Sequence, residues 1–331
     1  MNKVPVGVFI ATATTPPEQV GPLARQAEDL GFGEVWVAED CFYYGGFTAA
    51  GLALQATTDI TVGLGIISSM TRHPAMTAME IATLARVYPD RFLPGIGHGV
   101  PAWTDQMGLT PRSPLTALDE CVTSIRRLLS GETVDNEGRQ FTFRDVSLSF
   151  VPDAEVPLLT GVLGPKSLRL SGKIADGTVM SVLAGTKYIE SALQHIRTGM
   201  TEAGRSSHLL PTFALFSVNK DSKAARAAVR PLLAFYLEAV GPHNALTEAF
   251  GYNDHLAELM SEGGTDRLVR EMPEEWIDEL AVAGDPDQVG ARIEQLLKAG
   301  ATSVVLSPVN PESAAEELEL VGKSVLPALG R

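Results

Sequence analysis

Glu39 and Asp40 close the apolar run EVWVAED, and His98 sits between glycines in RFLPGIGHG; these are the residues best placed to move protons. A carboxylic acid whose burial raises its pKa can protonate a group receiving hydride, and an imidazole exchanges protons near neutrality. The carboxylates also fit a plainer role at the surface, and His98 a supporting role behind a ligand. No G-x-S-x-G elbow, zinc-type histidine pair or Walker-A lysine occurs anywhere in the 331 residues. The candidate strand ends, 66–69, 97–99, 161–166 and 182–185, are rich in glycine and poor in nucleophiles. Such a rim suits a bound redox cofactor better than hydrolysis.

Two further segments bear on binding. In GVLGPKSLRLSGKIADG a strand ends at Gly161 and a helix opens with Lys166 and Ser167 in its first turn. Unpaired N–H groups at a helix start, with a lysine beside them, make a phosphate site. The same turn also reads as an ordinary capped connection with a solvated lysine. In ITVGLGIISS and RFLPGIGHG the strands end in small or polar residues, so backbone there can approach a flat ligand. Arg72, His73 and Pro74 follow the first of these, with His73 read as orienting the loop. Met70, Met76 and Met79 read as core or pocket lining, and Asp176 as a turn residue.

The elements that position these residues alternate along the whole chain. Strands are expected at 6–11, 34–39, 60–68, 91–97, 156–161, 177–182, 212–218 and 303–307. Amphipathic helices lie between them; in the first, over 18–30, Val20, Leu23, Ala24, Ala27 and Leu30 share a face and Gly31 stops it. A hairpin with its bend at Asn136, Glu137 and Gly138 interrupts the rhythm, and residues 222–283 form a helical stretch without strands. The last unit is clearly marked, with Asp285 as cap and Pro286 in the first turn. Eight strands alternating with helices predict an α/β fold, a (β/α)8 TIM barrel with a helical insertion over 222–283 before the last unit. A doubly wound open sheet is the alternative. A single domain over 1–331 follows.

Forty acidic against 26 basic residues give a net charge of -14, which disfavours nucleic acid and anionic membranes as partners. No run approaches the ~20 apolar residues of a membrane span. Cys41 and Cys121 make neither a disulfide framework nor a metal motif. These features together predict a cytoplasmic protein.

Five pieces in order carry a resemblance: AEDLGFGEVWVAED, TVGLGIISSMTRHPAMTAMEIATL, RFLPGIGHG, GPKSLRLSGKIADG and DPDQVGARIEQLLKAGATSVVL. The chain resembles the bacterial luciferase-like oxidoreductases, and within them the coenzyme F420-dependent branch that includes methylenetetrahydromethanopterin reductase. The resemblance implies hydride transfer between C5 of the deazaflavin and a small organic substrate. It implies a non-prolyl cis peptide at Gly65–Ile66, whose bulge, with Ile67 and Ser68, backs the central ring. Val162, Leu163 and Gly164 would hold the cofactor phosphate, with Lys166 and Ser167 beside them. His98 and Gly99 would approach the ring or its side chain.

One departure stands out. Many members carry an acid–histidine pair where this chain has Glu39 and Asp40. Without that imidazole, alcohol oxidation is disfavoured and a carboxylic acid becomes the candidate proton donor. The resemblance also implies a homodimer. Two other readings stay open: an FMN-dependent monooxygenase and a noncatalytic barrel that binds partners. Residues 41–47, 101–112 and the insertion would shape the substrate pocket, with Phe42, Tyr43, Tyr44 and Trp103 as aromatic walls.

Overall fold

The computed structural model describes residues 4–261 and 263–329. Its strands are β1 (Val6–Phe9), β2 (Glu34–Val37), β3 (Thr61–Ser68), β4 (Phe92–Gly97), β5 (Val134–Glu137), β6 (Thr142–Val146), β7 (Leu159–Gly161), β8 (Gly177–Val179), β9 (Pro211–Val218), β10 (Ala281–Gly284) and β11 (Ser303–Pro308). Nine of them form one sheet in the order β10-β9-β11-β1-β2-β3-β4-β7-β8, and β5 and β6 form a separate pair. Every pairing in the larger sheet is parallel. Parallel neighbours need crossovers, and helices supply them.

The sheet curls. Thr178 N–H donates to the Leu209 carbonyl at 2.8 Å, and Phe213 N–H to the Met180 carbonyl at 3.0 Å. These bonds join the β8 edge of the order to the chain entering β9, near its other end. Strands of a parallel sheet are buried on both faces, and all eight residues of β9 are buried.

Two apolar clusters result. The larger lies between sheet and helices, where Leu118, Val122 and Ile125 of the helix Pro114–Leu129 meet the strands. The smaller lies on the concave side: Trp36, Leu159, Val179, Phe213 and Val305. Trp36 fills this interior because β3 makes room for it. A Cβ on Gly63 would fall 2.1 Å from the indole, and one on Gly65 would fall 3.1 Å from it. The Phe213 ring meets the indole edge-on at 5.5 Å. The indole N–H donates to Glu34 at 2.7 Å, so the buried polar atom is paired.

The expected strands are found, and two expectations are corrected. Asn136 and Glu137 do not bend the hairpin; they stay in β5 and pair with Phe143 and Thr142. The turn lies further along because the Glu120 carboxylate collects the N–H groups of Arg139, Gln140 and Phe141 at 2.8, 2.9 and 3.1 Å. The stretch 222–283 is helical, as expected, but ends in β10, which pairs with Leu215–Val218 of β9. There β9 runs beyond its contact with β8, and the small apolar run AVAG supplies the missing main-chain partner. The cap at Asp285 is present: its side chain accepts from Gln288 N–H at 2.9 Å.

His73 pins the hairpin to the body of the protein. Its Nδ1 accepts from Ala75 N–H at 3.2 Å, its Nε2 lies 3.1 Å from the Thr142 carbonyl, and its ring packs on Phe143. Asp176 accepts from Arg126, Arg205 and the Leu158 N–H, and so braces β7 and β8 at their N-terminal ends. Among the described residues no helix is long and apolar enough to cross a membrane.

A buried polar chain crosses the seam between β7, β8 and β9. Thr160 Oγ1 donates to Ser171 Oγ at 2.6 Å, Ser171 and Thr178 share a bond of 2.6 Å, and Thr178 Oγ1 lies 2.8 Å from His208 Nε2. Burial, then the Arg205 charge, pushes the His208 pKa down to about 4, with Asp176 opposing. The folded state therefore binds fewer protons than the unfolded state between the ordinary value of 6.5 and about 4. The stability contributed by neutral His208 is full above that window and is lost as pH falls through it. The urea midpoint is expected to drop between pH 7 and pH 4.5, and to drop less in His208→Gln; equal slopes in both proteins would exclude His208 as the cause.

Candidate active site

Because the strands run parallel, their C-terminal ends share one rim. The third strand places a bulge there. The Gly65–Ile66 peptide is cis, at the position the resemblance implied, and the β3–β4 register slips between Leu64 and Ile67. The Ile66 side chain turns over Gly97 and Gly161: a Cβ on Gly97 would lie 2.1 Å from Ile66 Cδ1, and one on Gly161 would lie 2.8 Å from its Cγ2. The glycines that the sequence reading gave to a ligand thus make room for Ile66 first. Ile66 stays half-exposed at the rim. Ile67 points the other way, into the main core.

Ser68 ties the third and fourth rim loops together. Its Oγ donates to the His98 carbonyl at 3.2 Å and accepts from Met70 N–H at 3.2 Å. Gly99, at φ +75°, lies so close that a Cβ there would sit 2.6 Å from Ser68 Oγ. His98 reaches from this loop toward the fifth, with Nε2 3.3 Å from Ser167 Oγ. Burial pulls the His98 pKa below its ordinary value, the Pro114 carbonyl acting in the opposite sense. Its Nδ1 is buried and makes no hydrogen bond among the described residues.

The helix Pro165–Ile174 opens at Gly164 without a side-chain cap. A Cβ on Gly164 would meet nothing within 4 Å, so the turn faces open space. Its first N–H groups lack helical partners by construction. Lys166 is exposed beside them, Ser167 is half-buried, and Val162 is buried in the core. The Leu163 carbonyl accepts from the Tyr188 hydroxyl at 2.7 Å, which fixes this turn to the next helix.

After β2 the two carboxylates part company. Both oxygens of Glu39 are engaged: Arg72 donates to Oε1 at 2.5 Å and to Oε2 at 2.6 Å, and Gly46 N–H donates to Oε2 at 2.9 Å. Asp40 accepts at Oδ2 from the Thr12 hydroxyl, while its Oδ1 takes no hydrogen bond among the described residues. Tyr44 stands near it, its hydroxyl buried and without a hydrogen-bond partner among the described residues. Burial, and then the Asp40 charge, pushes that phenol up to about 12. Tyr236, from the helix Ser222–Val240, is raised by the same two causes. Cys41 is a free, half-buried thiol, raised by burial and by the neighbouring carboxylates.

Arg72 is the partner of Glu39 that the sequence reading missed. The available signal was charge balance, since a carboxylate on a largely apolar rim needs a cation one strand over. The aromatic walls divide: Phe42 and Tyr43 are exposed, and Trp103 is half-buried. The insertion adds a stack of Phe250, Tyr252 and Trp276, with centroids 5.4 and 4.8 Å apart. Among the described residues no cluster of His, Cys, Asp or Glu is arranged to hold a metal ion.

Comparisons with known proteins converge on one group. A family model described as luciferase-like monooxygenase matches residues 4–303. The chain is 33% identical to 5,10-methylenetetrahydromethanopterin reductase of Methanopyrus kandleri, covering 94% of this chain and 95% of the relative. It is 29% identical to the F420-dependent glucose-6-phosphate dehydrogenase of Nakamurella multipartita, covering 95% and 93%. The solved structure of coenzyme F420 dependent tetrahydromethanopterin reductase from Methanopyrus kandleri superposes with a TM-score of 0.84 at 30% identity over 99% of both chains.

The burial of His98 yields a direct expectation. Followed by NMR, its imidazole should titrate below its ordinary value of 6.5, and a midpoint at or above that value would contradict the partly buried ring described above.

Proposed function

This chain belongs to the luciferase-like monooxygenase family, and from that premise we propose that it is a coenzyme F420-dependent oxidoreductase acting on a small organic substrate. The observation that carries the proposal is the rim itself: the Ile66 bulge lies between a carboxylate held by Thr12 and an uncapped helix start facing open space. These groups fit the coenzyme. The open turn at Gly164 offers N–H donors to a phosphate, and neutral His98 links that turn to the bulge loop. The reading takes the curled sheet as a closed (β/α)8 TIM barrel in a single domain, supported by the main-chain bonds between β8 and β9. It places the enzyme in the cytoplasm, consistent with the free thiols Cys41 and Cys121.

When bound, the deazaflavin supplies or accepts a hydride at C5. The protein's residues do the rest. The N–H groups of the 162–164 turn and of Lys166 and Ser167 would hold the phosphate, and the Lys166 ammonium would add charge where the protein as a whole is anionic. The bulge at Gly65 and Ile66, with Ser68, His98 and Gly99 around it, shapes the wall behind the ring. The Thr12 hydroxyl would fix Asp40 Oδ2 and leave Oδ1 to exchange a proton with a substrate atom. Tyr44 and Tyr236, both within reach of the Asp40 charge, would limit water around it.

The family's description favours a second reading, an FMN-dependent monooxygenase. Fluorescence titration of the purified chain separates the two. Tight binding of F420 with none for FMN supports the proposal, FMN alone would replace it with the second reading, and binding of neither would leave a noncatalytic barrel. Turnover is then assayed with methylenetetrahydromethanopterin and glucose 6-phosphate, the compounds for which the two relatives are named. Asp40→Asn is expected to lower the rate about 10²–10⁴-fold with F420 affinity unchanged; unaltered turnover removes Asp40 from this role.

The proposal includes a homodimer. Leu52, on the helix Gly46–Ala56, and Met76 and Met79, on the helix Pro74–Val87, expose large apolar side chains on neighbouring helices, so the two methionines are not the core or pocket lining expected of them, and a second copy would cover all three. Sedimentation should give twice the chain mass for the wild type and a monomer for Met76→Glu with Met79→Glu; a wild-type monomer overturns this assignment.

A further inference from the structure

Glu39 is bound to the bulge twice over. Its main-chain N–H donates to the Ile66 carbonyl at 3.3 Å. Its carboxylate is held in a fork by Arg72, which follows the same bulged strand by four residues, and by Gly46 N–H at the start of the next helix. The Glu39 side chain is 9% exposed, and the Arg72 guanidinium is the cation set against it. Arg72 in turn lies 5.5 Å from the Phe47 ring centre and 3.4 Å from Glu80. Its reach is therefore set on three sides, and the fork geometry makes the contact directional. Asp40 is the very next residue, so whatever fixes Glu39 fixes the base of Asp40.

We infer that Arg72 and Glu39 are positioning residues of the hydride-transfer site: the fork between them sets the Asp40 loop against the Ile66 bulge and cancels a carboxylate that would face the anionic coenzyme. The inference rests on the F420 reading above and assigns Glu39 a role other than proton donation. Its consequence is specific. Removing Arg72 leaves Glu39 uncompensated beside the bulge and Glu80 without its cation behind it, and neutralising Glu39 relieves the part of the damage that lies at the bulge. A residue that only filled space would show no such rescue.

The test is a double-mutant cycle read by F420 fluorescence titration, with circular dichroism as the check on folding. Arg72→Met is expected to weaken F420 affinity about tenfold or more, Glu39→Gln by less than about threefold, and the double variant to recover to within about threefold of wild type. Affinity unchanged in folded Arg72→Met, or a double variant as weak as Arg72→Met, overturns the inference. Should Arg72→Met not fold, Arg72→Lys keeps the charge and loses the fork; weakening of about threefold or more then supports the inference, and wild-type affinity overturns it. A wild-type chain that binds no F420 refutes the functional reading instead, so the two failures are distinct.

Discussion

The rim is organised by how one isoleucine is accommodated. Ile66 turns inward at the end of β3 and can do so only because Gly97 and Gly161, on the two following strands, have no side chains. One layer below, Trp36 fills the interior against Gly63 and Gly65. The curled sheet is thus packed by two large side chains set against glycines, and interiors tolerate little change in volume. Everything proposed for the site depends on that packing, since the bulge, the Ser68 bridge to the fourth loop and the Glu39 main-chain bond all start from this strand.

The electrostatics follow a consistent pattern. With a net charge of -14 the chain carries many carboxylates, and those at structural positions are tied down. Glu28 and Glu120 are each partly buried, which raises the pKa, but each accepts several main-chain N–H bonds that outweigh burial and hold it below the ordinary value. Asp176 is held by two arginines, and Glu317 accepts from Val218 N–H and the Ser313 hydroxyl. Glu39 belongs to this group through Arg72. Asp40 does not: its Oδ2 accepts from Thr12, its Oδ1 takes no hydrogen bond among the described residues, and its charge raises the phenols of Tyr44 and Tyr236. Adjacent residues of the same charge type therefore have different chemistry, because their partners differ.

Local sequence carries local information well. Periodic apolar residues, glycine stops and the Asp285 cap are properties of short stretches, which is why the alternation of strands and helices was legible from end to end. The hairpin turn was misplaced because Glu120, 19 residues or more away, decides where the main-chain N–H groups gather. The strand β10 was missed because AVAG is too short and too small to announce itself; it is a strand only where β9 offers an edge.

The candidate site divides the same way. The order of pieces along the chain determined which family it joins, the peptide at Gly65–Ile66 and the turn before Lys166, since these sit within contiguous motifs. Only the folded chain decided that Glu39 meets Arg72 across 33 positions, that His98 meets Ser167 across 69, and that Ile66 rather than a ligand occupies the space above the glycines. The reason is physical. Periodicity fixes which face of an element is apolar, but a hydrogen bond or a close contact between loops needs the strands first brought side by side, and that depends on the registers of the whole sheet.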